Sequence, residues 1–205
     1  MFYLSEFINN EITGRSRSMF AEDLNKHSEA LSAQILGKRL LVIGGAGTIG
    51  SSFIMTMLKF EPSCLYVVDN DENGLTELTR DLRSRTDIKV PAEYKSYPID
   101  FGDAVFEKIL ANEVSFDIIA NFAAHKHVRS EKDHYSIEAM FRNNVIKAHS
   151  LLNLLIKNPP THFFCVSTDK AANPVNLMGA SKQLMENLIL SYAAEMNIST
   201  ARFAN

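Results

Sequence analysis

The segment from Lys38 to Gly50, KRLLVIGGAGTIG, constrains the fold of this chain more than any other. Residues 40–43 form a short apolar run with the length and β-branched content of a buried strand, and a glycine cluster follows directly. Residues 49–60 then show apolar periodicity over the length of a helix. A strand, a glycine turn and a helix in this order place a flexible backbone beside a helix N-terminus. Such a turn can approach a phosphate, which the free N–H groups and the helix dipole attract.

A second apolar run supports a dinucleotide site at this turn. Residues 64–68 predict another strand, and Asp69 ends it about 20 residues beyond Gly50, where an acid can bind the hydroxyls of an adenosine ribose. The glycines fit two spacings, since residues 45, 47 and 50 give G-x-G-x-x-G and residues 44, 47 and 50 give G-x-x-G-x-x-G. Glycine-rich turns also serve tight packing without a ligand, so the combination with Asp69 carries the prediction. The carboxylate of Asp69 would repel a 2′-phosphate, and the adjacent Asn70-Asp71-Glu72 adds negative charge, so NAD is favoured over NADP.

Strand and helix patterns alternate through the rest of the chain, which predicts an α/β fold with a Rossmann-like doubly wound parallel sheet covered on both faces. The further predicted strands are residues 94–99, 116–122, 162–166 and 199–204, and the predicted helices are residues 72–85, 103–112 (capped by Asp103), 136–157 and 177–196. Ligands of such sheets bind at the carboxyl ends of the strands. We therefore expect the cofactor to contact Gly44, Gly47, Thr48, Ile49, Gly50, Asp69, Asn70, Ile99, Asp100, Ala123 and Ala124, with Asp100 beside the adenine and Ile99 packed on it.

Two domains follow from this pattern: residues 1–37 as an N-terminal helical extension and residues 38–205 as the NAD-binding domain. We expect the extension to pack on the domain; an oligomer contact or a latch over the substrate is the alternative. The sequence ends with a predicted strand, which would leave a substrate site open on one side. We therefore expect a C-terminal substrate portion to be missing from this sequence.

Composition excludes several classes of function. The 205 residues carry 21 basic and 24 acidic side chains, a net charge of −3, without the basic patch of a nucleic-acid or anionic-membrane binder. No stretch has the length of a membrane span or the layout of a signal peptide, so we expect a cytoplasmic protein with reduced, buried Cys64 and Cys165. His125, His127 and His134 lack a partner cluster of metal ligands, so we expect no metal site.

A second informative segment, STDKAANPVNLMGASK at residues 167–182, carries candidate catalytic groups. Thr168, Asp169 and Lys170 leave the fifth predicted strand, and Met178 and Lys182 share one face of the following helix at i, i+4. A hydroxyl, a carboxylate and two amines beside a dinucleotide form a plausible acid–base site. The residues leave an alternative open, in which Asp169 and Lys170 form a solvated ion pair and Lys182 is a surface lysine.

With these motifs the chain, from about Gly14 to Asn205, resembles the extended short-chain dehydrogenase/reductases. Within them it is similar to the polysaccharide-biosynthesis-type 4,6-dehydratases that act on UDP-N-acetylglucosamine. GGAGTIG matches their cofactor loop, NFAAHKHV at residues 121–128 resembles H-A-A-x-K-H-V, and Asn144-Val145 matches T-N-V. The segment at residues 167–182 matches the signature S-T-D-K-A-x-x-P-x-N-x-M/Y-G-x-[ST]-K.

The resemblance implies a lyase that forms a UDP-4-keto-6-deoxy sugar for surface polysaccharide or glycan biosynthesis. Hydride leaves C4 for the cofactor, water is lost across C5 and C6, and the hydride returns to C6. It implies that Lys182 binds the nicotinamide ribose, that Thr168 hydrogen-bonds the C4 oxygen, that Asp169 protonates the departing hydroxyl and that Lys170 is the base at C5. We further expect Lys126, His127 and Asn205 to contact the UDP-sugar, and a homo-oligomer paired through the helices at 136–157 and 177–196.

Two residues depart from the family pattern. Met178 stands where most short-chain dehydrogenases place the tyrosine that deprotonates the C4 hydroxyl, so Asp169 or Lys182 acting through a water must replace it. Asn121 stands where histidine is common. Two rival functions therefore remain at this level: a UDP-sugar 4-epimerase, which needs neither Asp169 nor Lys170, and a catalytically silent NAD-binding regulatory protein.

Overall fold

The computed structural model describes residues 4–15, 17–113, 115–125 and 133–204, and contacts divide the chain into two units, residues 1–35 and residues 36–205. The first unit contains short helices. It contains α1 (Leu4–Phe7), a π-helical turn (Ile8–Thr13), α2 (Ala21–Lys26) and α3 (Ser28–Ile35). The packing of this extension on the domain, and the domain division itself, stay predictions.

The second unit is built on a six-stranded parallel sheet, which confirms the predicted fold class. Its strands lie in the order β3-β2-β1-β4-β5-β6. The order reverses between β1 and β4, so the carboxyl ends of these two strands open the crevice in which doubly wound sheets bind ligands. The strands are β1 (Arg39–Ile43), β2 (Cys64–Asp69), β3 (Glu93–Pro98), β4 (Ile118–Asn121), β5 (His162–Thr168) and β6 (Ile198–Phe203).

Helices connect the strands as the alternating pattern predicts. They are α4 (Thr48–Met57, extended by a 3₁₀ turn at Leu58–Phe60), α5 (Glu72–Ser84), α6 (Ala104–Asn112), α7 (His134–Phe141), α8 (Lys147–Leu155) and α9 (Leu177–Ser191). The helix predicted over residues 136–157 is divided, because a π-helical segment (Arg142–Ile146) separates α7 from α8. The prediction for α9 is also too long. The chain after Ser191 is drawn into tight turns, in which Ala193 donates to Leu190 and Glu195 to Tyr192, instead of continuing the helix to residue 196.

The predicted cap of α6 is wrong in its chemistry. Asp103 occupies the predicted N-cap position, but its side chain makes no capping hydrogen bond. Its backbone N–H donates to the carbonyl of Asp100. Side-chain caps do occur at other helices of the described chain. Asp71 accepts from Gly74 N at 2.9 Å, and Asn176 accepts from Gly179 N at 2.8 Å.

The central strands form the core, since Leu41, Val42, Tyr66 and Val67 are fully buried, as expected for strands covered on both faces. Cys64 and Cys165 are buried and unbridged, as predicted. These strands place their carboxyl ends side by side, which brings the sequence motifs together.

A charge cluster joins three strands at the amino edge of the same sheet. Arg39 of β1 donates twice to Glu93 of β3, at 2.6 and 2.8 Å, across the intervening strand β2. The hydroxyl of Tyr66 on β2 lies 3.0 Å from Glu93 and 2.8 Å from Glu113 at the end of α6. Bidentate contacts of this kind specify geometry as well as adding energy, so the cluster helps to fix the register of the three strands.

Candidate functional site

The glycine turn after β1 lies directly against the chain that leaves β4. Gly44 has a φ of 74°, and a Cβ there would lie 2.5 Å from the amide nitrogen of Ala123. Its N–H donates to Val68 at 2.7 Å, and Phe122 N–H donates to Ile43 at 2.7 Å. Only glycine allows the turn to pass between these neighbouring strands, so Gly44 serves the close packing of the turn.

Gly47 has a different role, because none of the described residues requires it to lack a side chain. It is the N-cap of α4 with a φ of −69°, and a Cβ there would approach no atom closer than Gly44 O at 3.5 Å. The space that Gly47 leaves open is part of a cleft at the N-terminus of α4, and two neighbouring cavities form this cleft. A phosphate passing over this turn would meet backbone N–H groups and the positive end of the helix dipole, which fits a dinucleotide.

One end of the cleft is a cavity of about 220 Å³ at the carboxyl ends of β1, β2 and β4. The structure brings together here six of the residues predicted to contact the cofactor, namely Asp69, Asn70, Ile99, Asp100, Ala123 and Ala124. The carboxylate of Asp69 accepts the N–H groups of Ala46 at 3.0 Å and Asp71 at 3.1 Å, so the glycine turn itself holds it in position. The sequence pattern did not predict Phe101, His125 and Asn143, which also line this cavity.

The other end is a cavity of about 350 Å³ that shares Gly44, Gly47, Phe122 and Ala124 with the first. The remaining predicted cofactor residues Thr48, Ile49 and Gly50 line it, together with the candidate catalytic residues Thr168, Lys170, Met178 and Lys182. The two cavities thus run across the carboxyl edge of the sheet with the glycine turn between them. Val166, Ser167 and Phe203 line this end without having been predicted.

Lys182 is buried, which makes the surface-lysine alternative wrong. Only 4% of the residue is exposed, and its ammonium nitrogen donates to the carbonyl of Val166 at 2.8 Å. Burial lowers the pKa of Lys182 below its ordinary value, because the charged form loses hydration. Met178 is also buried and lies one helical turn earlier on α9, so this face of the helix presents an amine and a thioether to the cavity.

Asp169 makes its contacts with the two residues beside it in the sequence, Thr168 and Lys170. Its carboxylate accepts the hydroxyl of Thr168 at 2.9 Å, the N–H of Lys170 at 2.9 Å and the ammonium of Lys170 at 3.3 Å. The Thr168 hydrogen bond and then Lys170 lower the pKa of Asp169 below its ordinary range. The Asp169–Lys170 ion pair is partly exposed, as in the solvated-pair alternative, and Lys170 lines the cavity whereas Asp169 does not.

Asn144 links the chain after β4 to α9, whereas in the sequence it stands out only through a motif match. It lies in the π-helical segment and is 2% exposed. Its amide accepts the N–H of His125 at 2.9 Å and donates to the His125 carbonyl and to the Ser181 hydroxyl, both at 3.0 Å. The available sequence signal is an asparagine at the helical spacing of Met140, Ala148 and Leu151, since an amide on a buried helix face requires partners.

Asn121 departs from the residue that the family pattern predicts at this position. Asn121, where histidine is common, is buried and accepts the N–H of Ala123 at 3.0 Å, so it closes the turn after β4. Lys126, His127 and Asn205 lie outside the described residues, and their contacts stay predictions. Within the described ranges, no three histidine, cysteine, aspartate or glutamate side chains form a group that could hold a metal ion.

The strand order, the glycine turn at its reversal point and the shared cleft define a Rossmann-like protein of the doubly wound class. Residues 40–205 match the family described as polysaccharide biosynthesis protein, and the chain belongs to that family.

Among its relatives, the chain is 36% identical over 154 residues to a protein of Methanocaldococcus jannaschii described as an uncharacterized membrane protein, a match covering 75% of this chain and 43% of that protein. It is 30% identical over 157 residues to a UDP-glucose 4-epimerase of Rickettsia typhi, covering 76% and 44% of the two chains. The chain therefore spans less than half the length of these relatives.

Solved structures share the fold. DesIV, a dTDP-glucose 4,6-dehydratase from Streptomyces venezuelae with NAD bound, superposes with a TM-score of 0.62 at 22% identity, covering 79% of this chain and 55% of that one. At this identity the likeness shows the fold alone. Among the described residues, no helix has both the length and the apolar character needed to cross a membrane.

Proposed function

We propose that this protein takes part in a UDP-N-acetylglucosamine 4,6-dehydratase reaction with NAD, the reaction that its motifs resemble. The observation that carries the proposal is the convergence of Thr168, Lys170 and Lys182 on one cavity next to the glycine turn. A hydroxyl and two amines at the carboxyl edge of a doubly wound sheet suit proton transfer beside a cofactor. The product is a UDP-4-keto-6-deoxy sugar.

The cleft fits NAD through contacts that its own residues supply. The held carboxylate of Asp69 has remaining lone pairs for ribose hydroxyls, and its negative charge disfavours the 2′-phosphate of NADP. The N-terminus of α4, open at Gly47, suits the pyrophosphate. Bound NAD supplies a hydride acceptor at its nicotinamide, and Lys182 lines the cavity proposed for that end.

The proposed roles of the proton donors and acceptors are those that the resemblance implies. Thr168 would hydrogen-bond the C4 oxygen of the sugar, and Lys170 would take the proton at C5. Asp169 accepts from Thr168 and forms an ion pair with Lys170, whereas the acid at C6 must be a protonated carboxyl group and the base at C5 must be a neutral amine. The two proposed roles therefore require one proton to pass from Lys170 to Asp169 when the sugar displaces water from the pair.

A base at the C4 hydroxyl is still required, because the thioether of Met178 accepts no proton. Of the two candidates, Lys182 lines the cavity and Asp169 does not. Burial favours the neutral amine of Lys182, which is the form that accepts a proton. We therefore assign the C4 base to Lys182, acting through a water.

A UDP-sugar 4-epimerase is the second candidate. It shares the C4 oxidation and has no use for Asp169, and the carboxylate of Asp169 does not line the cavity. The similarity to a UDP-glucose 4-epimerase points the same way. A silent NAD-binding protein is the third candidate, supported by Met178.

The test is incubation of the protein with UDP-N-acetylglucosamine and a trace of NAD, followed by the mass of the nucleotide sugar. Loss of one water without net NADH supports the dehydratase. Unchanged mass with a new isomer supports the epimerase, and bound NAD without turnover supports the silent protein. Asp169→Asn and Lys170→Met should abolish dehydration, whereas Lys157→Met, at an exposed lysine after α8, should not.

A further inference from the structure

Lys147 places a cation behind the cavity proposed for the adenosine end. It is the first residue of α8, and its ammonium nitrogen donates to the carboxylate of Asp100 and, at 3.3 Å, to the amide oxygen of Asn143. The same nitrogen lies 5.6 Å from the ring centroid of Phe101. Asp100, Phe101 and Asn143 all line the cavity, so Lys147 contacts three of its lining residues from behind.

Gly102 provides the space that Lys147 occupies. A Cβ on Gly102 would lie 2.9 Å from Cδ of Lys147 and 3.0 Å from its Cγ and Cε. The N–H of Gly102 donates to the other oxygen of Asp100 at 2.7 Å. The loop after β3 therefore makes room for the stem of Lys147 and also donates a hydrogen bond to the carboxylate of Asp100.

The two donors leave Asp100 ionised and oriented. Burial acts to raise the pKa of Asp100, but the hydrogen bonds from Lys147 and Gly102 outweigh it and hold the pKa below the ordinary range. An ionised carboxylate only accepts hydrogen bonds. Each oxygen of Asp100 has one of these donors and keeps a further lone pair, and the residue faces the cavity, so it can accept from an amino group there and would repel a carbonyl.

We propose that Lys147 is a positioning residue that fixes Asp100 to accept a hydrogen bond from the amino group of the cofactor's adenine, which makes the site selective for a 6-amino over a 6-oxo purine. This inference rests on the proposed binding of NAD. Lys147 acts through Asp100 and touches neither the reacting atoms nor the sugar.

The test compares NAD with nicotinamide hypoxanthine dinucleotide, which carries an oxo group in place of the adenine amino group. The chain has no tryptophan, so calorimetric titration suits the measurement. The unaltered protein should prefer NAD by about tenfold or more, because the analogue places a carbonyl acceptor at the 6-position, where Asp100 needs an N–H donor. Lys147→Met should lower the affinity for NAD about tenfold and the affinity for the hypoxanthine analogue less than about twofold.

A matched control separates this role from a general effect of losing a lysine. Lys95 also combines an ion pair, with Glu113 at 3.1 Å, and a position over an aromatic ring, 4.7 Å from the centroid of Tyr66. It lies near the amino end of β3, away from the cleft. Lys95→Met should leave the preference for NAD unchanged, because Lys95 does not line the cavity.

Gly102→Ala is the second variant, for the case in which Lys147→Met does not fold. Its Cβ displaces the flexible lysine stem without removing a charge, and it should lower the preference for NAD in the same direction. An unchanged or higher preference in the folded variant would overturn the inference. An unaltered protein that binds neither dinucleotide would overturn the proposed function itself, so the two failures are distinguishable.

Discussion

Asp69 shows how much of the proposed cofactor choice rests on a single carboxylate. Its two oxygens accept N–H groups from the glycine turn and from Asp71. These hydrogen bonds therefore hold the side chain in place before any ligand arrives. A preorganised anion at this position favours ribose hydroxyls, which donate, and repels a phosphate.

We expect Asp69→Asn to narrow the preference for NAD over NADP by about tenfold, because the amide removes the repulsion and keeps an acceptor oxygen. Calorimetric titration with both dinucleotides measures the ratio. Asp71→Asn is the matched control: it neutralises a neighbouring carboxylate that caps α5 through Gly74 and should change the ratio much less. Equal effects of the two variants would show that the general negative charge, and not Asp69, sets the preference.

At the level of elements, α9 carries the candidate chemistry and depends on a well-formed start. Asn176 accepts Gly179 N–H at 2.8 Å, and Met178 and Lys182 follow within the first two turns. The start of α6 offers a contrast, since Asp103 occupies its N-cap without a side-chain hydrogen bond. A residue type favoured at helix starts therefore does not by itself establish a cap.

We expect Asn176→Ala to lower the free energy of unfolding by about 1 kcal/mol, the ordinary worth of a side-chain cap. Asp103→Ala should cost less than about 0.5 kcal/mol, because only an interaction with the helix dipole is lost. Urea unfolding followed by circular dichroism compares the two midpoints. A cost for Asp103→Ala as large as that for Asn176→Ala would contradict the difference in capping.

The same elements show what the sequence could and could not predict. The strands follow from apolar periodicity, and the pairing of Met178 with Lys182 on one helix face follows from their i, i+4 spacing, both of which depend on local sequence. The π-helical segment does not follow from periodicity, because a one-residue insertion in the helix leaves the apolar pattern of the flanking helices intact. The buried amide of Asn144 in this segment finds hydrogen-bond partners elsewhere in the fold. The contact of Lys147 with Asp100 depends on the space at Gly102, which only the folded chain brings together.

On the scale of the whole domain, the two edges of the sheet have separate tasks. The carboxyl edge holds the cleft. The amino edge carries the cluster in which Arg39 and Glu93 join β1 to β3 across Tyr66 of β2. The hydrogen bonds from Arg39 are the main cause that lowers the pKa of Glu93 to about 2.

This depressed pKa predicts how stability depends on pH. A carboxyl group with a folded-state pKa below its unfolded value of about 4.3 stabilises the fold above that pH and loses this contribution as the pH falls towards 2. The Tm difference between the unaltered protein and Glu93→Gln should therefore be constant near neutrality and shrink below about pH 4.3. Thermal unfolding across this range measures it. Glu77→Gln, in the exposed pair with Arg80, should show no such trend, and a similar trend there would exclude the cluster as the cause.

The most direct test of the proposed reaction follows the hydrogen on C4 of the sugar. UDP-N-acetylglucosamine deuterated at C4 is incubated with the protein and NAD, and the position of deuterium in the product is read by NMR. A dehydratase moves the deuterium from C4 to C6, so the account predicts a 4-keto product that carries the label in its C6 methyl group. Deuterium returned to C4 of an isomer with unchanged mass, or a label that never leaves C4, would contradict it.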